Sequence, residues 1–171
     1  MPPTEFSLDP IDWKIVEELQ DDARLSFAEI GRRVGLSTPA AAERVRRIED
    51  ANIITGYHAA VNFPRLGLPI CVVVRLAVAG GENPLLRAVK TAKSFPEVLE
   101  CHRVTGSDSF ILRAQVRSVE HLESLINRLN PLGTTTTSTV LSSPILRRTI
   151  RKKDIDGTSG KAPASTVHRQ S

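Results

Sequence analysis

Residues Leu36 to Asp50 read LSTPAAAERVRRIED, three consecutive alanines followed by three arginines within four positions. Ser37 has the chemistry of a helix N-cap and Pro39 falls in the first turn, so a helix is predicted here, with Asn52 taking the left-handed closing position before Ile53-Ile54. At 100° per residue Ala41, Val45 and Ile48 gather on one side, which must be packed. Pro39, Glu43, Arg46, Arg47 and Asp50 lie opposite, flanked by Ala40 and Ala42. Small side chains at the N-terminal end let a helix backbone sit deep in a groove, and Arg46 and Arg47 can then reach bases or phosphates. Arg44 is nearer the packed side and is assigned to a phosphate or an internal ion pair. An arginine-rich amphipathic helix is also what a solvated face looks like, so its neighbours decide the matter.

Upstream, Asp9-Pro10 reads as an N-cap and first helical position, with Ile11, Ile15, Val16 and Leu19 at helical spacing and Asp21-Asp22 at the end. Ser26 and Glu29 have capping-box spacing, Phe27, Ile30 and Val34 make one apolar stripe, and Gly35 supplies a left-handed stop. Two helices separated by Gly35-Leu36-Ser37 have the spacing of a helix-turn-helix, whose second helix enters the DNA major groove. The candidate DNA-contacting residues are Ser26, Ser37, Thr38, Pro39, Ala40, Ala42, Glu43, Arg44, Arg46 and Arg47. Charge supports a local site. The net charge is +4, but residues from Arg147 onward hold +5 of it and the remainder −1. Within the first 56 residues acids outnumber bases, yet Arg32, Arg33, Arg44, Arg46 and Arg47 face only Glu43 between positions 32 and 47.

After Gly56 the period changes. Tyr57 to Val61 alternates like a short strand, and Asn62 to Gly67 reads as a linker. Ile70 to Val78 is a β-branched strand, and Asn83-Pro84 starts a helix that Phe95-Pro96 stops. Val98 to Thr105 and Ser109 to Val116 are strands around the turn Gly106-Ser107-Asp108; Ser118 caps a helix ended by Pro131, and Thr134 to Leu141 is a last strand. Strand, helix, strand, strand, helix, strand is the ferredoxin-like βαββαβ order, with both helices on one sheet face. The fold class is therefore α+β. An apolar second sheet face would bury itself against another copy, and a front domain of about 50 residues is marginal alone, so a homodimer is expected. The divisions are 1–56 for DNA binding, 57–69 for a linking strand and hinge, 70–146 for the ferredoxin-like domain, and 147–171 for a basic tail expected to be disordered.

LSTPAAAERVRRIEDANIITGYHA, preceded by DARLSFAEIGRRVG and followed later by VLECHRVTGSDSFIL, resembles the Lrp/AsnC (feast/famine) family of transcription regulators over about residues 8–142. The resemblance implies an N-terminal winged helix-turn-helix and a C-terminal ligand-sensing domain. It further implies dimers that assemble to octamers, a pseudo-palindromic double-stranded DNA operator, and control by an amino acid or similar small molecule. The family's effector loop usually reads Thr-Gly-x-x-Asp. Here it is Thr105-Gly106-Ser107-Asp108-Ser109, with the aspartate one place early. Gly106 can expose backbone amides to a carboxylate, while Asp108 or the hydroxyls of Ser107 and Ser109 can meet an amino group. Gly, Ser and Asp are equally what a bare hairpin turn favours.

Other chemistry is weakly represented. Cys71 and Cys101 lie in apolar runs and read as buried reduced thiols; His58, His102, His121 and His168 are scattered, which argues against a metal centre. No phosphate loop, nucleophile elbow or dinucleotide glycine pattern is present, and no cofactor is expected. The N-terminal MPPTEFSLDPID lacks a signal-peptide pattern and no run has membrane-spanning length, so a cytoplasmic protein is expected. Two alternatives stand beside a non-enzymatic regulator. One is an enzyme like the siroheme decarboxylases, which resemble this two-domain plan, with His102 as its candidate residue; the other is a sensor without specific DNA binding.

Overall fold

The computed structural model describes residues 7–156, which divide into two units, one joining the chain up to Ala59 with the segment from Ile145 onward and the other spanning Ala60–Pro144. In the first unit, helices α1 (Pro10–Asp21), α2 (Phe27–Val34) and α3 (Thr38–Asp50) enclose a core of Ile15, Val16, Leu19, Ile30, Val34, Ala41, Val45 and Ile48. Each helix begins where its cap lies. Asp9 Oδ1 accepts from the N–H groups of Ile11 at 2.7 Å and Asp12 at 2.8 Å, and Asp12 Oδ2 accepts the Asp9 N–H at 3.3 Å, closing a reciprocal box. Ser26 Oγ accepts from Glu29 N–H at 3.2 Å, but the returning half of that expected box is replaced: the Glu29 carboxylate turns to Arg32 and Arg33. Ser37 Oγ accepts from Ala40 N–H at 3.4 Å, and Gly35 and Asn52 adopt left-handed φ of 77° and 57°.

Tyr57 to Val61, expected as a short strand, forms none, because alternation makes a strand only where a ladder partner exists and none pairs with this stretch among the described residues. The segment 147–156, expected within a disordered tail, packs on α1 and contains a single helical turn, α6 (Lys152–Asp156). It has no core of its own and borrows one. Residues 157–171 lie outside the described residues.

The second unit contains β1 (Ile70–Ala77), α4 (Glu82–Ala92), β2 (Val98–Arg103), β3 (Phe110–Val116), α5 (Val119–Leu129) and β4 (Thr134–Thr139). The four strands form one antiparallel sheet in the order β2-β3-β1-β4, with Val74 opposite Leu112 on one side and Thr137 on the other. Val72, Val74, Leu76, Phe110, Leu112, Ala114 and Val116 pack with Ala88, Ala92, Leu125 and Leu129 of the helices in the core. α4 starts at Glu82 with Gly81 at the cap, just before the expected Asn83-Pro84, whereas Ser118 caps α5 by accepting from His121 N–H at 3.2 Å.

Two expectations are corrected here. Cys101 is exposed and Cys71 half-buried: β2 is an edge strand whose residues beyond Val98 are all exposed, so an apolar-looking run does not bury its thiol. The second sheet face is mixed in character. Half-buried Val73 and Ile111 alternate there with Arg75 and Arg113, while Glu100 and His102 extend the polar part.

Candidate nucleic-acid interface and effector loop

The turn between α2 and α3 places α3 by a close backbone approach. Leu36 N–H donates to Gly31 O at 2.8 Å, and a Cβ on Gly31 would stand 2.6 Å from Leu36 O. Ser26, Ser37, Thr38 and Pro39 are exposed at the N-terminal ends of α2 and α3, Ala40 is half-buried, and Glu43 and Arg46 are exposed farther along α3. Ala42 departs from its assignment as an open flank. It is 9% exposed, being 100° round the helix from the fully buried Ala41, so its methyl belongs to the packed shoulder.

The three arginines of α3 separate into different roles. Arg44 Nη1 donates to Asp9 Oδ2 at 2.5 Å and Asp12 Oδ1 at 2.7 Å, the internal ion pair offered as one of its two assignments. Arg47, assigned wholly to the outward face, donates from Nη2 to Asp12 Oδ2 at 2.9 Å while its side chain keeps 52% exposure. It anchors at one end and faces solvent at the other. Arg46 is exposed, and no carboxylate is paired with it among the described residues. Asp12, missed as a functional residue, is fully buried and receives both guanidinium groups plus the Asp9 N–H. Its signal was the Asp9-x-x-Asp12 spacing. The hydrogen bond from Arg44, helped by backbone N–H donors, holds the Asp9 carboxyl below the usual carboxylate range, and the hydrogen bonds to Asp9 and then Asp12 raise Arg44. α3 therefore presents Arg46 and its N-terminal turn outward from a helix locked to α1.

In the second unit, Thr105 to Ser109 joins β2 to β3. Thr105, Gly106 and Ser107 are exposed, with Gly106 at φ 114°, whereas Asp108 and Ser109 are half-buried. Ser109 is fastened on three sides: its N–H donates to Leu76 O at 2.8 Å, its carbonyl accepts from Val104 N–H at 3.1 Å, and its Oγ accepts from Val78 N–H at 3.1 Å. Asp108 Oδ2 lies 3.6 Å from Arg75 Nη1. The loop thus has an open arch and a pinned base, with a carboxylate and a guanidinium beside it.

A second ionic cluster lies between β2 and α5. Glu97 Oε1 accepts from Arg128 at 2.6 Å and lies 2.8 Å from His121 Nε2, tying the approach to β2 to α5, and Arg128 stacks over Phe95 at 4.7 Å. Burial pushes the Glu97 carboxyl up, but the hydrogen bonds from Arg128 and His121 outweigh it and hold the group down at about 2. His102 is exposed on β2 and lies 3.6 Å from Glu100. No group of three His, Cys, Asp or Glu side chains suited to a metal ion occurs among the described residues, and no helix among them is long and apolar enough to cross a membrane.

Comparison with known proteins follows this division. Residues 8–49 match the AsnC-type helix-turn-helix domain and residues 71–150 the Lrp/AsnC ligand binding domain. The HTH-type transcriptional regulator LrpC of Bacillus subtilis is 35% identical over 137 residues, covering 80% of this chain and 94% of that protein. The leucine-responsive regulatory protein of Escherichia coli K12 is 36% identical over 120 residues, 70% of this chain and 73% of its own length. Among solved structures, B. subtilis LrpC superimposes with a TM-score of 0.76 at 33% identity, covering 83% of this chain and all of the other. A transcriptional regulator of Neisseria meningitidis in complex with L-Met does so with a TM-score of 0.79 at 25% identity, covering 84% and 96%.

Proposed function

The chain belongs to the Lrp/AsnC family of transcriptional regulators, and from that premise we propose that it binds a specific DNA operator through α3 and changes that binding on capturing an amino acid. The observation that carries this reading is the split among the α3 arginines: Arg44 and Arg47 lock the helix to Asp12, which leaves Arg46 and the Ser37–Ala40 turn presented outward. Rigid placement of the helix is what base contacts need, since phosphate contacts fix register and base edges supply sequence.

For the effector, the Thr105–Ser109 loop offers open backbone donors at Gly106 and a carboxylate at Asp108. Ser109 stands where the family usually has an acid, and its hydroxyl already accepts from Val78. The task of meeting an ammonium group therefore falls to Asp108, oriented by Arg75. Support for an amino-acid effector comes from the N. meningitidis regulator solved with L-Met and from the leucine-responsive names of relatives. The active form is at least a homodimer, since a pseudo-palindromic operator requires two recognition helices.

The test is a fluorescence-anisotropy titration of the protein on its own upstream DNA and on scrambled DNA, across salt, with and without pooled amino acids. Tight, salt-sensitive binding that favours the upstream fragment and shifts with one pool is expected. Equal, weak binding to both fragments would remove the operator-binding reading. Asp108→Asn is expected to keep binding in the absence of amino acids and lose the shift; a retained shift would place the effector elsewhere.

A further inference from the structure

The outward face of α1 is occupied by the chain's own returning segment. Gln20 treats Ile150 as a strand neighbour: its Nε2 donates to Ile150 O at 3.0 Å and its Oε1 accepts Ile150 N–H at 3.1 Å, so one side chain satisfies both backbone groups of one residue. Beside this pair, Lys152 N–H donates to Glu17 Oε1 at 3.0 Å, and the Thr149 hydroxyl donates to Asp21. The Arg151 guanidinium lies 3.7 Å from Glu17 and 3.5 Å from Asp21. Ile150 and Ile155 border a cavity of about 350 Å³ that Trp13, Val16 and Leu19 also line. These contacts match in sign, since α1 offers Glu17 and Asp21 while the arm brings Arg151 and a run of basic neighbours.

We propose that residues Thr149–Ile155 form an ionic clasp on the outer face of α1, which stabilises the DNA-binding unit and opens as its charges are screened. A three-helix unit of about 50 residues gains little surplus stability from its core, so a docked arm matters to it. Exposed ion pairs are individually weak and fade with salt. Tethering compensates, because an arm on the same chain meets its groove at high effective concentration. Such a clasp holds at low ionic strength and opens when its charges are screened or reversed. It requires neither the operator nor the effector, so its failure and that of the regulatory reading are separable.

Trp13 is the chain's only tryptophan and lines the cavity the arm borders, which makes its fluorescence a reporter of docking in the full-length protein without DNA. Four full-length variants decide the matter: Arg151→Glu, Glu17→Arg, the two combined, and Gln20→Ala, each checked by circular dichroism for native helix content. Each single substitution is expected to shift Trp13 emission to the red and raise its quenching by acrylamide. The combined charge swap should return both readings toward those of the unaltered protein. Raising salt from about 0.05 to about 1 M should move the unaltered protein as the single reversals do. Unchanged emission in Arg151→Glu and Gln20→Ala would overturn the clasp, and failure of the double variant to recover would overturn its ionic character.

Discussion

Asp12 has no solvent exposure and sits beneath two arginines of another helix. A buried carboxylate is tolerable only when its lone pairs are filled, and here they accept from Arg44, Arg47 and the Asp9 backbone. Asp12→Asn keeps the shape and removes the charge. It is expected to cost the DNA-binding unit about 2 kcal/mol, read as a shift in the denaturant midpoint of Trp13 fluorescence. Arg46 and Arg47 should then respond differently to truncation. Arg46→Ala is expected to weaken operator binding by about 1–3 kcal/mol, or to lower the salt slope if it meets phosphate, with the unfolding midpoint unmoved. Arg47→Ala should lower both affinity and stability, because Asp12 loses a donor. If Arg46→Ala alters neither affinity nor salt slope, the reading face lies elsewhere on the unit. Glu97 supplies a pH test. Its carboxyl is held at about 2 in the folded chain against an ordinary 4.5, so its stabilising contribution is complete above the higher value and drains away as pH falls through that window. Glu97→Gln should flatten the dependence of the urea midpoint on pH there; a profile that parallels the unaltered protein would show that the Arg128 and His121 contacts are not held in solution.

At the scale of elements, the α2–α3 turn is the most demanding joint. Gly35 needs its glycine for a φ of 77° with open space around it, whereas Gly31 needs it because Leu36 O leaves no room for a methyl. Gly31→Ala should cost about 1–3 kcal/mol by overpacking and also weaken operator binding, since pushing Leu36 away tilts the start of α3. Thermal unfolding and anisotropy together check this; loss of stability with operator affinity intact would show that α3 tolerates the displacement. The same joint shows what a sequence makes legible. Caps at Asp9, Ser26, Ser37 and Ser118 and left-handed stops at Gly35 and Asn52 are signals local to a few residues, so the helices and their turn can be read directly. The outward positions of α3 follow from its period for the same reason. What local signals do not carry is pairing across the chain. Arg44 and Arg47 find Asp12 across separations of 32 and 35 residues, which diverts part of the expected DNA face inward. Tyr57–Val61 alternates without a ladder partner, and Cys101 lies on an edge that its apolar neighbours do not reveal. The arm on α1 is hidden more deeply still, since Gln20 and Ile150 are 130 positions apart and each looks like an ordinary surface residue alone.

For the whole molecule, the homodimer proposed above requires a surface on which one copy can meet another. One face of the second unit is covered by α4 and α5, and the other carries half-buried Val73 and Ile111 between Arg75, Arg113 and Glu100. Such a face is too polar to be the interior of an obligate core. It does suit a mixed two-fold contact, since on the two central strands Val73 lies beside Arg113 and Ile111 beside Arg75, with Arg113 already neutralised by Glu100. Adding a further guanidinium beside Arg75 and Arg113 is the direct test, because a self-contact on this face would then desolvate an excess of like charge. Ile111→Arg should convert the sedimenting species to monomer while leaving far-UV circular dichroism unchanged. Its effect on DNA should depend on the fragment used. A single half-site needs one recognition helix and should bind with nearly unchanged affinity, whereas a two-half-site operator should lose about 10²-fold or more, as the second contact no longer forms at high effective concentration. An unaltered sedimentation coefficient in Ile111→Arg would show that this face carries no self-association. Equal losses on both fragments would mean that the substitution acts on the recognition helix, since loss of assembly predicts a penalty confined to the paired half-sites.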